Sequence, residues 1–466
     1  MTWDGDLSIS ALHASYASGS TTPSEVVRAV YDRIQEYAKR DPAVWIDVAP
    51  LEDALAAAAA VEQQYEGKAK PRLYGVPFSV KNSIDVAGYK TTLACESFAY
   101  MPEKTAPVVE RCLAEGGIFV GTTNLDQFAT GLVGHRSPYG TPRCVADAEY
   151  ISGGSSSGSA VAVAAKLCTF SISTDTAGST RVPAAFNGLV GLKPTLGTLS
   201  TVGLVPAVKT ADCVCVLART ISDAKAAWEV MRWYDESDVY ARLPSSLANL
   251  PKWPPTGLRF GTPPAELLSV LSEPYAKLYD EALAKLSKLD GKLQRATNFD
   301  YSAFEAANNM LYGASIVAQR LVAFDEYLQK EGFSKLHPVI ASIFESSTGF
   351  DAVRAYRDLF QLAEYKRKVE IEFRDHLDVL VVPSTVTHWK VSEIDDDPLG
   401  RNKVLGSFTH FVNLVDLCAL AVPAGTWTNP SGHALPFSIT FIAPPGRDED
   451  LLRLAETFLA TQVEGQ

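Results

Sequence analysis

Two segments rich in glycine and serine have the composition of a catalytic centre for acyl transfer. Residues 150–159 read Tyr-Ile-Ser-Gly-Gly-Ser-Ser-Ser-Gly-Ser, and residues 175–181 read Asp-Thr-Ala-Gly-Ser-Thr-Arg. Small residues let backbone N–H groups approach a ligand closely and point towards it. Each segment also contains a serine, Ser155 in the first and Ser179 in the second, whose hydroxyl could be aimed at an acyl carbon. The pattern predicts a site at which the two segments meet.

A lysine upstream of these segments is a candidate base. Lys81 ends the run Gly-Val-Pro-Phe-Ser-Val-Lys at residues 75–81, which otherwise has the character of an interior strand. If the amine is buried beside serines, loss of hydration lowers its pKa towards neutrality and leaves a fraction as the free amine. A snorkelling or salt-bridged lysine is the alternative interpretation of this segment.

Two other interpretations of the first serine segment are open. A flexible linker often has this composition, although the run leads directly into a helical pattern rich in alanine and valine. Residues 154–158 also match the GxSxG pattern, which would make Ser156 the nucleophile of an α/β-hydrolase with Asp378 and either His388 or His410. The sequence before this turn is polar and acidic, whereas the hydrolase pattern requires a strand there.

Short β-rich runs alternate with helical patterns along the chain. A helical lead begins at the capping box Thr-Pro-Ser-Glu, residues 22–25. Apolar runs typical of strands follow at residues 76–80, 118–120, 170–174 and 379–382. The alternation predicts an α/β fold in which helices cover a sheet.

We expect the whole chain, residues 1–466, to form one domain without a C-terminal accessory domain. Prolines at positions 244, 251, 254 and 255 indicate an exposed connector. The predicted parts are a helical lead at 1–65, a catalytic core at 66–243, a helical elaboration that shapes the substrate pocket at 257–376, and a returning sheet segment at 377–466.

The composition excludes several classes of function. Of the 466 residues, 47% are hydrophobic, which allows a large core. The net charge of -12 argues against a nucleic-acid partner, and no apolar run approaches the ~18 residues that would span a bilayer. The start of the sequence has no secretory signal pattern, and the seven cysteines include no CxxC pair. These features favour a cytoplasmic protein with reduced thiols and no metal site.

The motifs together resemble the amidase signature family. The resemblance runs from Tyr-Gly-Val-Pro-Phe-Ser-Val-Lys at residues 74–81, through Gly-Thr-Thr-Asn-Leu-Asp-Gln-Phe at 121–128 and the two serine segments, to Leu-Pro-Phe at 435–437. It implies the amidase signature fold, a large mixed, mostly parallel β-sheet covered on both faces by helices.

The resemblance also implies a Ser-cisSer-Lys triad. In it, Ser179 is the nucleophile, Lys81 is the base, and Ser155 follows a cis peptide bond and forms hydrogen bonds to both. The implied oxyanion hole consists of the backbone N–H groups of Thr176, Ala177, Gly178 and Ser179. Asp175 and Arg181 are expected to hold this turn in shape.

Within the family, the chain is most similar to the allophanate hydrolases, in residues 131–140, 311–320 and 408–423. Allophanate is a small urea derivative that carries a carboxylate, so its site needs a fixed cation, and a guanidinium gives bidentate geometry. The implied substrate-binding residues are Arg320, Tyr312 about two helical turns earlier and on the same face, and Gly131.

The resemblance implies a hydrolase of urea degradation that cleaves the terminal amide C–N bond of allophanate, forms an acyl-enzyme on Ser179 and releases ammonia. We expect a cytoplasmic homodimer that acts on a small molecule, without cofactor, metal, nucleic acid or membrane. Two alternatives are a general small-amide amidase of the family, which would tolerate Arg320→Ala, and the catalytic-type subunit of an amidotransferase complex.

Overall fold

The computed structural model describes residues 3–463 apart from 248–252, 255 and 290–292. Two of the connector prolines, at 251 and 255, lie outside the described residues. The outer ends of the predicted segments 1–65 and 377–466 also lie outside them.

An eleven-stranded β-sheet forms the centre of the molecule. Its strands are β1 (Trp45–Val48), β2 (Pro77–Lys81), β3 (Ile118–Thr123), β4 (Phe170–Asp175), β5 (Val190–Lys193), β6 (Cys213–Ala218), β7 (Leu258–Gly261), β8 (Leu293–Arg295), β9 (Val379–Pro383), β10 (Cys418–Thr428) and β11 (Ala434–Ala443). Their order across the sheet is β1-β3-β2-β4-β6-β5-β10-β11-β9-β7-β8. Several inner strands are continuous apolar runs because the sheet is covered by helices.

The sheet is mixed, as predicted, but its pairs are not mostly parallel. Strand β2 is parallel to β3 and β4, and β7 is parallel to β8 and β9. All other pairs among the described residues are antiparallel. One reason is the long hairpin of β10 and β11, which residues 429–433 close and whose outer neighbours, β5 and β9, also pair antiparallel. Apolar periodicity locates strands but does not give the direction of their partners.

Helices cover the sheet and also pack on one another. They are α1 (Ile9–Ser18), α2 (Pro23–Ala38), α3 (Leu51–Gln64), α4 (Pro107–Ala114), α5 (Ser157–Ala164), α6 (Arg181–Phe186), α7 (Ile221–Met231), α8 (Ala265–Leu268), α9 (Glu273–Ser287), α10 (Ser302–Gly313), α11 (Gln319–Ala323), α12 (Asp325–Glu331), α13 (Pro338–Ser347), α14 (Ala352–Asp375), α15 (Val391–Asp396), α16 (Gly400–Leu405), α17 (His410–Leu414) and α18 (Asp448–Val463). Within the described ranges, none of these helices is both long and apolar enough to span a membrane.

The capping box predicted at the start of α2 is confirmed. The Thr22 side chain accepts the N–H of Glu25, and the Glu25 carboxylate accepts the N–H of Thr22. The apolar face that follows includes Val26, Val30 and Ile34, all buried in the main core. The sequence thus determines both the start of this helix and the face that it buries.

In the predicted helical elaboration at 257–376, the described residues form seven α-helices, but they also contribute β7 and β8 to one edge of the sheet. These strands are only four and three residues long. A run of that length shows too little alternation to be identified from sequence, so only the pairing of β7 with β9 reveals it.

The order of the central strands determines where the site lies. Strand β2 ends at Lys81 and its parallel neighbour β4 ends at Asp175, so both ends emerge at the same edge of the sheet. Strand β6 runs antiparallel to β4, and its first residue, Cys213, pairs with Asp175. The residues just before β6 therefore lie at this edge as well.

Candidate active site

Lys81, Ser155 and Ser179 lie at the edge where β2 and β4 end. The Nζ atom of Lys81 is 2.7 Å from the Oγ atom of Ser155 and 2.7 Å from the Oγ1 atom of Thr174. All of these side chains are buried. The structure places the predicted lysine and both serine segments together, and it adds Thr174, which the sequence motifs had not indicated.

Burial determines the charge of Lys81. Loss of hydration lowers the pKa of its amine to about 7, although the negative charges of Asp126 and Asp175 act in the opposite direction. Near pH 7 a substantial fraction of the amine is uncharged and can accept a proton. Because Lys81 is fully buried, the snorkelling interpretation is wrong.

Ser155 follows a cis peptide bond after Gly154. A Cβ atom on Gly154 would lie 2.1 Å from the Oδ2 atom of Asp126, so this position requires glycine. Asp126 connects the surrounding loops: its N–H donates to the Ser155 carbonyl over 3.1 Å, and its carboxylate accepts the N–H groups of Gly134 and Arg136. The fully buried Asp126 therefore supports the loop that presents Ser155.

The two serine segments are joined through the backbone. The N–H of Ser156 donates to the carbonyl of Ser179 over 3.2 Å. Within the described part of the chain, no hydrogen bond joins the hydroxyls of Ser155 and Ser179, in contrast to the bridge expected from the sequence. Catalytic hydrogen bonds are often long in free enzymes and shorten in the substrate complex.

The turn that carries Ser179, residues 175–180 and here called the oxyanion turn, is held by a buried ion pair. Arg181 donates from Nε and Nη2 to the Asp175 carboxylate over 2.9 and 2.8 Å. Burial raises the pKa of Asp175, but the charge of Arg181 and the hydrogen bonds outweigh burial and hold this pKa below its usual value. The pair stabilises the turn and has no free carboxylate edge for proton transfer.

Gly178 differs from the sequence expectation. Its N–H donates to the Asp175 carboxylate over 2.8 Å, so it is engaged within the turn rather than free for an oxyanion. The N–H groups of Thr176, Ala177 and Ser179 have no hydrogen-bond partner among the described residues. Position 178 favours glycine for two reasons. Its backbone has φ 119, which residues with a side chain rarely adopt, and a Cβ atom there would collide with a side chain of the loop before α17.

Helix α17 contacts the back of the oxyanion turn. The Nδ2 atom of Asn413 donates to the carbonyls of Asp175 and Ala211 over 2.7 and 2.9 Å, and its Oδ1 atom accepts a bond from Arg181. Asn413 lies within residues 408–423, which resemble the allophanate hydrolases, but the sequence alone assigns it no role. Its partners are more than 200 positions away in sequence, so only the fold reveals them.

Tyr312 and Arg320 converge, but they do not share a helical face. Tyr312 lies in α10 and Arg320 in α11, and a 3-10 helix, Ser315–Ala318, separates them. The prediction of one continuous helix is wrong, because the helix ends at Gly313 and Ala314 is extended, with φ -125 and ψ 173. The bent chain still brings the guanidinium carbon of Arg320 to 5.6 Å from the centre of the Tyr312 ring.

The guanidinium of Arg320 is buried with most of its hydrogen-bonding capacity unused. Arg320 is 1% exposed, and its Nε atom donates to the Thr130 hydroxyl over 3.0 Å. Its Nη1 and Nη2 atoms have no hydrogen-bond partner among the described residues. Buried donors without partners are rare in folded proteins, and two parallel N–H groups match a carboxylate. We call Arg320, Tyr312 and Thr130, with the adjacent Gly131, the carboxylate pocket.

The alternative hydrolase triad is not assembled. The hydroxyl of Ser156 and the ring of His388 each bond to a backbone carbonyl, and Asp378 pairs with Arg259. Burial lowers the pKa of His388 to about 4 and that of His410 to about 3, so both rings are neutral near pH 7. In the part of the chain that the structure describes, no group of His, Cys, Asp or Glu side chains is arranged to hold a metal ion.

Comparison with known proteins gives consistent results. The family model described as "Amidase" matches residues 25–452. The chain is 39% identical over 446 residues to a urea amidolyase of Lachancea kluyveri, covering 94% of this chain and 24% of that protein. It is 33% identical to a glutamyl-tRNA(Gln) amidotransferase subunit of Symbiobacterium thermophilum, covering 96% of this chain and 95% of that protein.

A solved structure of a Kluyveromyces lactis allophanate hydrolase superposes with a TM-score of 0.85 at 36% identity, covering 99% of this chain and 73% of that chain. The fold prediction is thereby confirmed at the level of a mixed α/β sheet. The chain spans 24% and 21% of the length of the two urea amidolyases that it matches.

Proposed function

The chain belongs to the amidase family, and on that premise we propose that it hydrolyses the terminal amide of allophanate, urea-1-carboxylate, and releases ammonia. The main support for this substrate class is the buried guanidinium of Arg320. Its Nη1 and Nη2 atoms have no hydrogen-bond partner among the described residues. A carboxylate satisfies both groups at once and neutralises the buried charge. The similarity to a urea amidolyase and to an allophanate hydrolase supports the same substrate.

In the proposed reaction, a relay of three side chains generates the nucleophile. Uncharged Lys81 accepts the proton of Ser155 while Ser155 accepts the proton of Ser179, whose oxygen attacks the terminal carbonyl carbon. The unbonded N–H groups of Thr176 and Ala177 are the donors that receive the developing oxyanion. The relay then returns the proton to the leaving nitrogen, so ammonia departs and the acyl group stays on Ser179.

Water completes the cycle. It attacks the acyl carbon, gives one proton to the same relay, and the relay protonates the Ser179 oxygen as the ester bond breaks. The released iminodicarboxylate has two carboxylates on one nitrogen and loses carbon dioxide. The chemistry needs only proton transfers and acyl transfer by side chains of this chain.

Tyr312 and Gly131 give the carboxylate pocket its shape in this proposal. The Tyr312 ring faces the Arg320 guanidinium and restricts its plane through a cation–π contact. Gly131 follows Thr130, whose hydroxyl orients Arg320. Its backbone has φ 155, and a Cβ atom there would lie 2.6 Å from the Oδ2 atom of Asp126, so the loop beside Thr130 packs closely only with glycine at this position.

A substrate panel on the purified chain tests the proposal. Allophanate and malonamate carry a carboxylate beside the amide, whereas biuret and acetamide do not. We expect ammonia release from the first two and little from the others. Arg320→Lys is the matched control, because it keeps the positive charge but removes the bidentate fork. Equal turnover of biuret and allophanate would instead support a general small-amide amidase.

A second candidate function is that of a catalytic-type subunit of an amidotransferase complex. It is favoured by the match to the glutamyl-tRNA(Gln) amidotransferase subunit, because the match includes 95% of that protein's length. In that case the chain would act only together with partner proteins. Ammonia release from allophanate by the isolated chain contradicts this candidate, and activity that appears only with partner proteins supports it.

We also propose that the protein is a homodimer. On α14, Val353, Tyr356 and Phe360 are 66%, 62% and 67% exposed, a large apolar surface for one helix. Arg357 and Glu364 lie on the same face by their spacing. In a two-fold antiparallel pair of these helices centred near Phe360, each Arg357 faces Glu364 of the other copy. Sedimentation should show a monomer for Arg357→Glu and a restored dimer when Glu364→Arg is added.

A cytoplasmic location is part of the same proposal. All seven cysteines are free and buried, which suits a reducing compartment. Cell fractionation of the tagged protein tests it, and recovery in a membrane or secreted fraction would contradict it.

A further inference from the structure

Residues 207–212, here called the bridge segment, connect the carboxylate pocket with the oxyanion turn. Within it, the N–H and the hydroxyl of Thr210 both donate to Oε1 of Gln319 over 3.2 Å. Gln319 immediately precedes the arginine of the carboxylate pocket. Two residues further along the chain, Asp212 accepts a hydrogen bond from the hydroxyl of Thr176 in the oxyanion turn. One short segment therefore contacts both halves of the site.

Asp212 is a buried carboxylate whose hydrogen bonds all come from the protein. Oδ1 accepts the Thr176 hydroxyl and the N–H of Val208, and Oδ2 accepts the N–H groups of Ala207 and Val208. Burial raises the pKa of Asp212 to about 6, although these hydrogen bonds and the charge of Arg320 act in the opposite direction. Its acceptor positions are filled, so the carboxylate is suited to anchoring rather than to proton transfer.

The Thr176 side chain depends on this single contact. Its hydroxyl makes no other hydrogen bond among the described residues, and its N–H is one of the unbonded groups of the oxyanion turn. A donor in such a turn is effective only if it is held at the position of the developing oxyanion. Asp212 supplies that restraint from a segment that is itself bonded to the helix of Arg320.

We propose that Asp212 is a positioning residue that fixes the Thr176 N–H relative to the carboxylate-binding guanidinium of Arg320. This inference rests on the proposed function. In allophanate a single nitrogen separates the carboxylate carbon from the reacting carbonyl carbon, so the substrate cannot adjust to a change in the distance between its two binding groups. The restraint therefore acts on turnover, because misplacement of a reacting group by about 1 Å is enough to lower rates ~100-fold.

Thr176→Val is the most direct test, since valine has the shape of threonine without the hydroxyl. We expect kcat to fall about 10- to 100-fold, with KM within about threefold and with an unchanged inhibition constant for malonate, a carboxylate ligand without an amide. Thr176→Ser, which keeps the hydroxyl, should recover about tenfold over Thr176→Val. A role confined to folding would instead lower the amount of active enzyme and leave kcat per active site unchanged, as titration of acyl-enzyme formation measures.

Asp212→Asn is a second variant of the same hydrogen bond, and it keeps the inference testable if Thr176→Val does not fold. Its amide replaces one acceptor by a donor, so it cannot accept all the bonds of the carboxylate. In a double-mutant cycle the combined variant should lose no more kcat than the worse single variant, because both remove one interaction. Additive losses, an unchanged kcat, or an effect on KM alone would overturn the inference.

The rates are measured on the amide that the wild-type chain hydrolyses fastest. If the wild type does not prefer carboxylate substrates, the proposed function fails whatever the variants do. If the wild type prefers carboxylate substrates and Thr176→Val has the same kcat as the wild type, the proposed function stands and only the positioning role of Asp212 is wrong.

Discussion

The acyl-transfer centre and the carboxylate pocket are built in opposite ways. In the centre, Lys81 is bonded to two hydroxyls and Asp175 is bonded to Arg181 and to backbone N–H groups. In the pocket, the equally buried Arg320 has one hydrogen bond to the protein and two terminal nitrogens without partners among the described residues. In the centre the charge of Asp175 is paired within the protein, and the groups without partners are N–H donors of the oxyanion turn. In the proposed function, the charge of the pocket is paired only by a ligand.

This contrast separates catalysis from selection of the substrate. A buried network whose charges are paired within the protein stays in one arrangement, and its open N–H donors are ready for the oxyanion. A buried cation with unused donors is costly until an anion binds, so it rejects ligands that lack one. Loss of a group from the centre should therefore lower kcat, and loss of a group from the pocket should act on carboxylate substrates alone.

The largest effect is expected from Ser179→Ala. Removal of the nucleophile prevents formation of the acyl-enzyme, so kcat on allophanate should fall by about 10⁴-fold or more. The pocket is untouched, and malonate should bind with wild-type affinity in calorimetry. Turnover within about tenfold of the wild type would show that another residue is the nucleophile.

Arg320→Lys changes the carboxylate pocket and leaves the acyl-transfer centre intact. We expect kcat/KM for allophanate to fall about 100-fold, because a lysine cannot form the bidentate pair that the buried guanidinium offers. The slow rate on biuret should change by less than about twofold, since an uncharged amide makes no such pair. Equal losses on both substrates would indicate that Arg320 supports the fold rather than selects the substrate.

The two regions also differ in how far the sequence predicts them. Lys81, Ser155 and Ser179 belong to local motifs, and the structure places their segments together at one sheet edge. The break between Tyr312 and Arg320 was not predicted, because helical periodicity continues through Ala314. Thr174, Asp212 and Asn413 carried no signal, since each matters through a hydrogen bond to a distant segment. Pairing directions in the sheet were missed for the same reason.

A pH profile sharpens the assignment of the base. The pKa of Lys81 is lowered by burial to about 7, and its uncharged form is the active one, so kcat/KM should rise with pH and level off above about 7. Below that value the rate should fall about tenfold per pH unit. Asp212 needs a control, because burial raises its pKa to about 6 and it therefore also titrates on the acidic limb of this profile, below about pH 7. Asp212→Asn should keep the limb, and its disappearance in that variant would assign it to the carboxylate.

The smallest effect is expected from Thr130→Val, which tests whether the pocket itself is preorganised. The variant keeps the shape of the side chain but removes the hydroxyl, which accepts the Nε–H of Arg320 and donates to the carbonyl of Phe128. One such hydrogen bond contributes about 1 to 1.5 kcal/mol, so KM for allophanate should rise roughly five- to tenfold. The value of kcat should stay within about twofold, because the oxyanion turn is untouched. Thr130→Ser keeps the hydroxyl and should recover most of the lost affinity. If Thr130→Val lowers kcat and leaves KM unchanged, this threonine belongs to the acyl-transfer centre, and the boundary between the two regions lies elsewhere.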